Sequence, residues 1–126
     1  MNVKDLMIGD WVSYKNGFSD GEMTINTVVG TISEKYITEF VWGKRIDCEH
    51  LYPIPLTAEI LEKNGFVRSK VFVEWKYGDG EVSMLWKPFP FLTVNCDGAV
   101  VKFPCKHVHE LQHAMRLCGI DKEINL

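Results

Sequence analysis

The 126-residue chain contains no apolar run of membrane-spanning length. Its first residues, Met1-Asn2-Val3-Lys4-Asp5, lack the apolar centre of a secretory signal. A cytoplasmic protein with no membrane partner is the expectation. Cysteine is sparse and irregularly spaced. Cys48, Cys96, Cys105 and Cys118 form no C-x-x-C pair, so free and mostly buried thiols are expected. There is no G-x-S-x-G, no P-loop and no dinucleotide fingerprint. The common sequence signatures of acyl transfer and nucleotide chemistry are therefore missing. Internal repeats and low-complexity segments are missing too. Positive charge is not in excess: 14 Lys and Arg stand against 17 Asp and Glu, a net charge of -3. Residues 1–56 carry five cations and eight anions, and residues 57–126 carry nine of each. A general binder of phosphate backbones is usually basic, and neither segment is.

What is present suffices for folding. The chain is 46% hydrophobic and 12% aromatic, enough for a core without disulfide or metal staples. Residues 1–56 read as short β-branched and aromatic runs separated by turn residues. Strands are expected at Trp11–Tyr14, Glu22–Ser33, Tyr36–Val41, Arg45–Cys48 and Leu51–Ile54, a spacing that suggests a small SH3-like β-barrel. Gly30, inside a strand run, predicts a bulge or sharp bend. Pro53-Ile54-Pro55 enforces extended chain and marks a boundary. Residues 57–126 form the second segment. Thr57 is placed to cap a short helix at Ala58–Lys63, and Asn64-Gly65 to stop it. Val71–Tyr77 and Glu81–Lys87 alternate with period two across a Gly78-Asp79-Gly80 turn, and Pro88-Phe89-Pro90 ends the pair. Phe91–Cys96 and Ala99–Phe103 flank Asp97-Gly98, a hairpin signal. The fold class expected is α+β, with an antiparallel sheet packed by a C-terminal helix after the barrel.

That helix, Lys106–Cys118, carries the one literal catalytic motif. His109-Glu110-Leu111-Gln112-His113 is H-E-x-x-H. On a helix this spacing sets two imidazoles one turn apart, able to hold Zn²⁺ with Glu110 as general base. A catalytic zinc needs a third protein ligand. Arg116 stands where the extended pattern has glycine, and Asp121 and Glu123 lie past the expected helix stop at Gly119. Val108, Leu111, Met115 and Cys118 form an apolar stripe. At 100° per residue, His109, His113 and Arg116 fall opposite it, so a solvated or partner-facing polar face is expected. Ile120 is placed to close a Schellman motif over Gly119. Cys48-Glu49-His50 and Cys105-Lys106-His107 are both C-x-H, a conceivable Cys₂His₂ zinc set. Cys105 with His107 or His109 is the local candidate for thiol chemistry, but residues two apart on a helix do not face each other.

The first segment is rich in rings and cations. Trp11, Tyr14, Tyr36 and Trp42, with Lys44 and Arg45, are the candidate partner-binding residues; Phe18, Phe40, Lys15 and Lys35 lie among them. Such a set could grip a peptide or stack nucleobases. The net acidity favours protein over nucleic acid.

Three blocks carry a family resemblance: L-M-I-G-D-W-V at 6–12, P-I-P-L-T-A-E-I-L-E-K-N-G-F at 53–66, and V-H-E-L-Q-H-A-M-R-L-C-G-I at 108–120 with the K-E-I-N-L tail. The chain resembles a family of small proteins of Bacteroides-type gut bacteria, found among prophage and mobile-element genes and without an established activity. The resemblance implies a genomic setting and no mechanism. It also implies that the position of His113 varies while H-x-L-Q is kept, which weakens His113 as a metal ligand. The expectation is a non-catalytic accessory protein with no cofactor that binds a macromolecular partner. A small zinc hydrolase using His109, Glu110 and His113 is the first alternative. Single-stranded nucleic-acid binding through the barrel is the second.

Overall fold

The computed structural model describes residues 1–18, 21–69, 74–78, 82–85, 90–96 and 98–126. Several expected features fall outside that set: the turn at Ser19-Asp20, the start of the Val71–Tyr77 strand, Asp79-Gly80, the ends of Glu81–Lys87, the Pro88-Phe89 break and Asp97. The chain is α+β and divides into two units, Met1–Ile54 and Pro55–Leu126.

The first unit is a single antiparallel sheet. Its strands are β1 (Trp11–Phe18), β2 (Gly21–Ile32), β3 (Tyr36–Glu39), β4 (Arg45–Asp47) and β5 (Leu51–Tyr52), with a 3₁₀ turn at Cys48–His50 before β5. Their order is β4-β3-β2-β1-β5. The sheet curls into a half-barrel whose outermost strands are β4 and β5. Strand β2 is 12 residues long and pairs with β1 along its first part and β3 along its second. Between the two parts the register shifts, from Val29 opposite Glu39 to Thr31 opposite Thr38. Gly30 sits in that shift. A Cβ on Gly30 would lie 2.8 Å from the Cα of Phe40, closer than atoms can pack. The absent side chain lets the main chain of Phe40 cross, and its N–H donates to the Val28 carbonyl at 2.9 Å. The bulge expected at Gly30 is therefore present, and its cause is a backbone crossing.

Curling gives the sheet an inside. Leu6, Val12, Tyr14, Val29, Ile37, Ile46, Cys48 and Leu51 form one buried cluster there. The entry turn Met7–Asp10 is tied to β2. Asp10 is fully buried, and its Oδ2 accepts the Met7 N–H at 2.7 Å. Its carbonyl accepts the Val29 N–H at 2.9 Å.

The second unit starts with α1 (Ala58–Lys63), where the Thr57 hydroxyl accepts the Ile60 N–H at 3.3 Å. Then come β6 (Phe66–Arg68), β7 (Glu74–Tyr77), β8 (Val82–Leu85), β9 (Phe91–Cys96) and β10 (Ala99–Pro104), in antiparallel order β10-β9-β8-β7-β6. Trp75, Met84 and Leu92 are paired in register across three strands and all buried. Such cross-strand rows are the unit of sheet stability. Helix α2 (Val108–Leu117) follows. It ends in a Schellman motif: Ile120 N–H donates to Met115 O at 2.9 Å, Gly119 N–H to Arg116 O at 3.0 Å, with Gly119 at φ 69°. Residues 120–126 have no regular secondary structure, yet Ile124 is buried. Asn64 holds this tail with a reciprocal pair: its Nδ2 donates to Asn125 O, and its Oδ1 accepts Asn125 N–H, both at 2.7 Å. Among the described residues no helix is long and apolar enough to cross a membrane.

The Gly30 crossing sets a test of the first unit. Gly30→Ala should cost about 1–3 kcal/mol, the range for forcing volume into a packed site, read as a lower urea midpoint. An unchanged midpoint would show that the crossing does not constrain the sheet.

Candidate functional site

Residues of β1 and of β4 with its flanking turns meet in the half-barrel. Two strands separate them in the sheet order, yet they line one cleft of about 510 Å³. Only the curl can bring them together. Tyr14 and Ile46, both members of the buried cluster, line the cleft, and Lys15, Lys44, Arg45, Asp47 and His50 complete it. Three of the unit's five cations thus converge on one opening in an acidic unit.

Each of those cations rests on a tyrosine. The Lys44 Nζ lies 4.9 Å from the centre of the Tyr14 ring. The Arg45 guanidinium lies 3.8 Å from that of Tyr36, and the Lys15 Nζ 5.5 Å from that of Tyr52. Cation–π contact at exposed sites contributes roughly 0.5–1 kcal/mol each, and it also holds long side chains in place. Arg45 is offset in part by Asp47, with Nε 3.7 Å from Oδ1. Behind Tyr14, Glu39 is buried and its Oε2 accepts the Thr27 hydroxyl at 2.7 Å. Burial first, and the Glu39 charge second, push the Tyr14 phenol above its usual value of 10. Tyr14 therefore stays neutral and keeps its ring as a platform for Lys44.

The turn joining β3 to β4 enters the rim of this cleft. Phe40, Val41 and Trp42 are 69%, 72% and 84% exposed. Three consecutive large apolar side chains in water are unusual and mark contact surfaces. Lys44 follows two residues after Trp42. Of the six sequence candidates, Tyr14, Lys44 and Arg45 line the cleft, Tyr36 lies under Arg45, and Trp42 stands at the adjacent turn. Trp11 is half-buried, pairs with Val28, and is not part of the lining. Asp47, His50 and Tyr52 are not among the six partner-binding candidates, although His50 belongs to the C-x-H pair considered for zinc. Their signal was register, since β5 places Tyr52 opposite Ser13 and Leu51 opposite Tyr14, and pattern alone does not carry it.

Asp47, Glu49 and His50 also bring three possible metal-ligand atoms within 4.8 Å of one another. All three residues are exposed and the group borders Arg45. Exposed acidic groups with a cation beside them make a poor metal cage.

The H-E-x-x-H stretch looks different from its helical-wheel image. His109 is buried, as is Gln112, and His113 is half-buried. Buried positions 108, 109, 111, 112, 114 and 115 span more than half the circumference of α2. The expected outward face of His109 and His113 is thus corrected: an apolar stripe gives the direction of one buried face, and it does not limit burial to that face. The His109 and His113 rings lie 5.6 Å apart, edge to face, and His107 stacks on His109 at 5.7 Å. Glu110 is committed elsewhere. Its Oε1 is 2.5 Å from the Nδ1 of His107, the residue at the N-cap of α2. Glu110 stands at the third helical position, the spacing of a capping box, but here the two side chains bond to each other and the imidazole makes no hydrogen bond to a main-chain N–H of the helix. Among the described residues, Asp47, Glu49 and His50 are the one group of three possible ligands gathered this closely.

The two C-x-H cysteines fall in different units, and both are buried. Burial, with the Glu110 charge second, pushes the Cys105 thiol from 9.0 up to about 12. Its sulfur lies 4.0 Å from the His107 carbonyl. A thiol held neutral in this way is neither a nucleophile nor a ready metal ligand near pH 7. Comparison with family models, curated proteins and solved structures gives no match.

Two tests follow from α2. Glu110→Ala should destabilise the second unit by about 1 kcal/mol, as loss of a side-chain hydrogen bond and of a first-turn acid does. Denaturation with no change in midpoint would show that the His107–Glu110 pair does not stabilise the helix. Cys105 should resist alkylation at pH 8 in the native protein and react once the chain is unfolded. Its folded value is raised, so the stability it contributes is full below pH 9 and falls as pH climbs towards 12. Native alkylation of Cys105 at the rate of a free thiol would contradict this.

Proposed function

We propose that the protein is a non-catalytic accessory binding protein whose first unit grips a segment of a protein partner in the β1/β4 cleft. The observation that carries this reading is the convergence of Lys15, Lys44 and Arg45, each seated on a tyrosine, beside an 84%-exposed Trp42. Arg, Tyr and Trp are the residues most enriched where binding energy concentrates. Strands β1, β2 and β5 on one side, β2, β3 and β4 on the other, and a 3₁₀ turn before β5 support an SH3-like relationship, a scaffold often used for such recognition. The family resemblance adds a phage or mobile-element setting.

Protein is favoured over single-stranded nucleic acid because the unit is acidic as a whole. Three of its five cations gather at the cleft, which suits a short anionic segment and not a long phosphate chain.

Selection from a displayed random-peptide library tests this. Enriched peptides should bind the native protein and lose about tenfold or more with Lys44→Glu/Arg45→Glu, as charge-assisted contacts do. Enriched peptides indifferent to that change would refute the cleft as the site. Failure to enrich any peptide, with salt-sensitive binding of an oligothymidylate instead, would transfer the function to nucleic acid.

A further inference from the structure

The cleft is bounded by a strand edge as well as by side chains. Strand β4 is outermost in its sheet. Along β3, the Glu39 N–H donates to the Lys44 carbonyl and the Cys48 N–H to the Lys35 carbonyl, both at 2.9 Å. Antiparallel pairing alternates, so Lys44, Ile46 and Cys48 face their main-chain groups towards β3. Arg45 and Asp47, two residues of the cleft lining, direct theirs to the opposite side, the outer edge of the sheet. On the far wall, β5 pairs with β1 only at Ser13 and Tyr14, one residue before Lys15. The outer edge of β4 thus presents main-chain groups of Arg45 and Asp47 in the geometry that an added strand requires.

Side chains alternate along β4 in the same way. Ile46 points into the buried cluster, while Arg45 and Asp47 are exposed. Lys15 is exposed next to buried Tyr14. A strand added beside β4 would turn one set of side chains towards Tyr14 and Ile46. The other set would lie on the outer face with Arg45 and Lys15.

We infer that the cleft takes its partner as an added β-strand in which acidic residues alternate with aliphatic ones. This rests on the cleft being the binding site, and it specifies the chemistry and the geometry of the ligand. Main-chain hydrogen bonds to Arg45 and Asp47 supply register. The aliphatic side chains cover Tyr14 and Ile46, and the carboxylates meet Lys15 and Arg45, with Lys44 over Tyr14 adding positive charge at the mouth. Asp47 lies on the outer face as well, so a carboxylate directly beside it is disfavoured, which fixes where the acidic positions fall.

The probe is a blocked eight-residue peptide alternating glutamate with valine, titrated into the full chain by calorimetry at low salt. It should bind, and its lysine–valine counterpart should bind at least about tenfold more weakly. N-methylation of one alternate set of amides should weaken it about tenfold through the lost main-chain bonds. N-methylation of the other set should be tolerated. Equal binding of both methylated peptides would overturn strand addition, while sensitivity to Lys44→Glu/Arg45→Glu in the same series would keep the cleft as the site. Equal binding of the lysine peptide would overturn the acidic assignment. No binding of the acidic peptide at millimolar concentration would overturn the inference as a whole, and library-selected peptides that still depend on Lys44 and Arg45 would then preserve the cleft.

Discussion

The contact between Gly30 and the Phe40 main chain is the constraint on which the first unit depends. It lets one strand serve two halves of a sheet. Residues 21–28 of β2 pair with β1, and residues 29–32, with Gly30 in the register shift, run along β3. The bend between them is what carries β4 round to face β1. Without the bend the five strands would lie as an open, gently twisted sheet, and Lys15 and Arg45 would stand apart with two strands between them. The same crossing places Phe40 at the start of the exposed turn, so the apolar tip and the cationic cleft share one geometric origin. A missing side chain at position 30 thus controls the position of every residue proposed to bind.

Local chemistry in the sequence read well where the information was local. Thr57 caps α1 at the expected place, Gly119 closes a Schellman motif, and the helix bounds agree to within two residues at the N-terminal end of α2. Gly30 was recognisable as a bulge because a glycine inside a β-branched run has few other uses. The cleft was only half legible. Tyr14, Tyr36, Lys44 and Arg45 stood out by residue type. Tyr52 and Asp47 did not, because their role comes from strand register and sheet curl, which are set by long-range pairing. Strand β1 also runs to Phe18, past the expected end at Tyr14, since its continuation is dictated by β2 opposite and not by its own polar residues. The open half-barrel was likewise not readable, because closure depends on how far two outermost strands are brought together.

The H-E-x-x-H stretch shows why a motif must be weighed with its neighbours. The five letters starting at His109 suggest zinc. Starting two residues earlier, His107-Val108-His109-Glu110 has the spacing of a cap followed by an acid at the third helical position. Glu110 can serve only one of these roles at a time, and in the structure it holds His107. The helix N-terminus explains the preference. It presents main-chain donors and a partial positive charge, so an acid in the first turn is stabilised there whether or not a metal is nearby. The burial of His109 and Gln112 adds a further reason for their identity, since polar groups enclosed on a helix face restrict how that helix can pack.

An acidic unit with a cationic cleft raises the question of which charge a partner feels. Salt answers it. At physiological ionic strength the screening length is about 8 Å, shorter than the span of the half-barrel. Net charge therefore governs distant approach weakly, and contact energies are set by what lies within the cleft. There the balance is three cations against Asp47. The cations are also held in place on tyrosine rings, so less side-chain freedom is lost when a carboxylate docks. Tyr14 contributes as an uncharged ring: burial first, and the Glu39 charge second, push its phenol further above a value already far from neutral pH, so what it offers Lys44 is the face of a neutral aromatic ring, set in the floor of the cleft with Ile46 beneath the positive charge at the mouth.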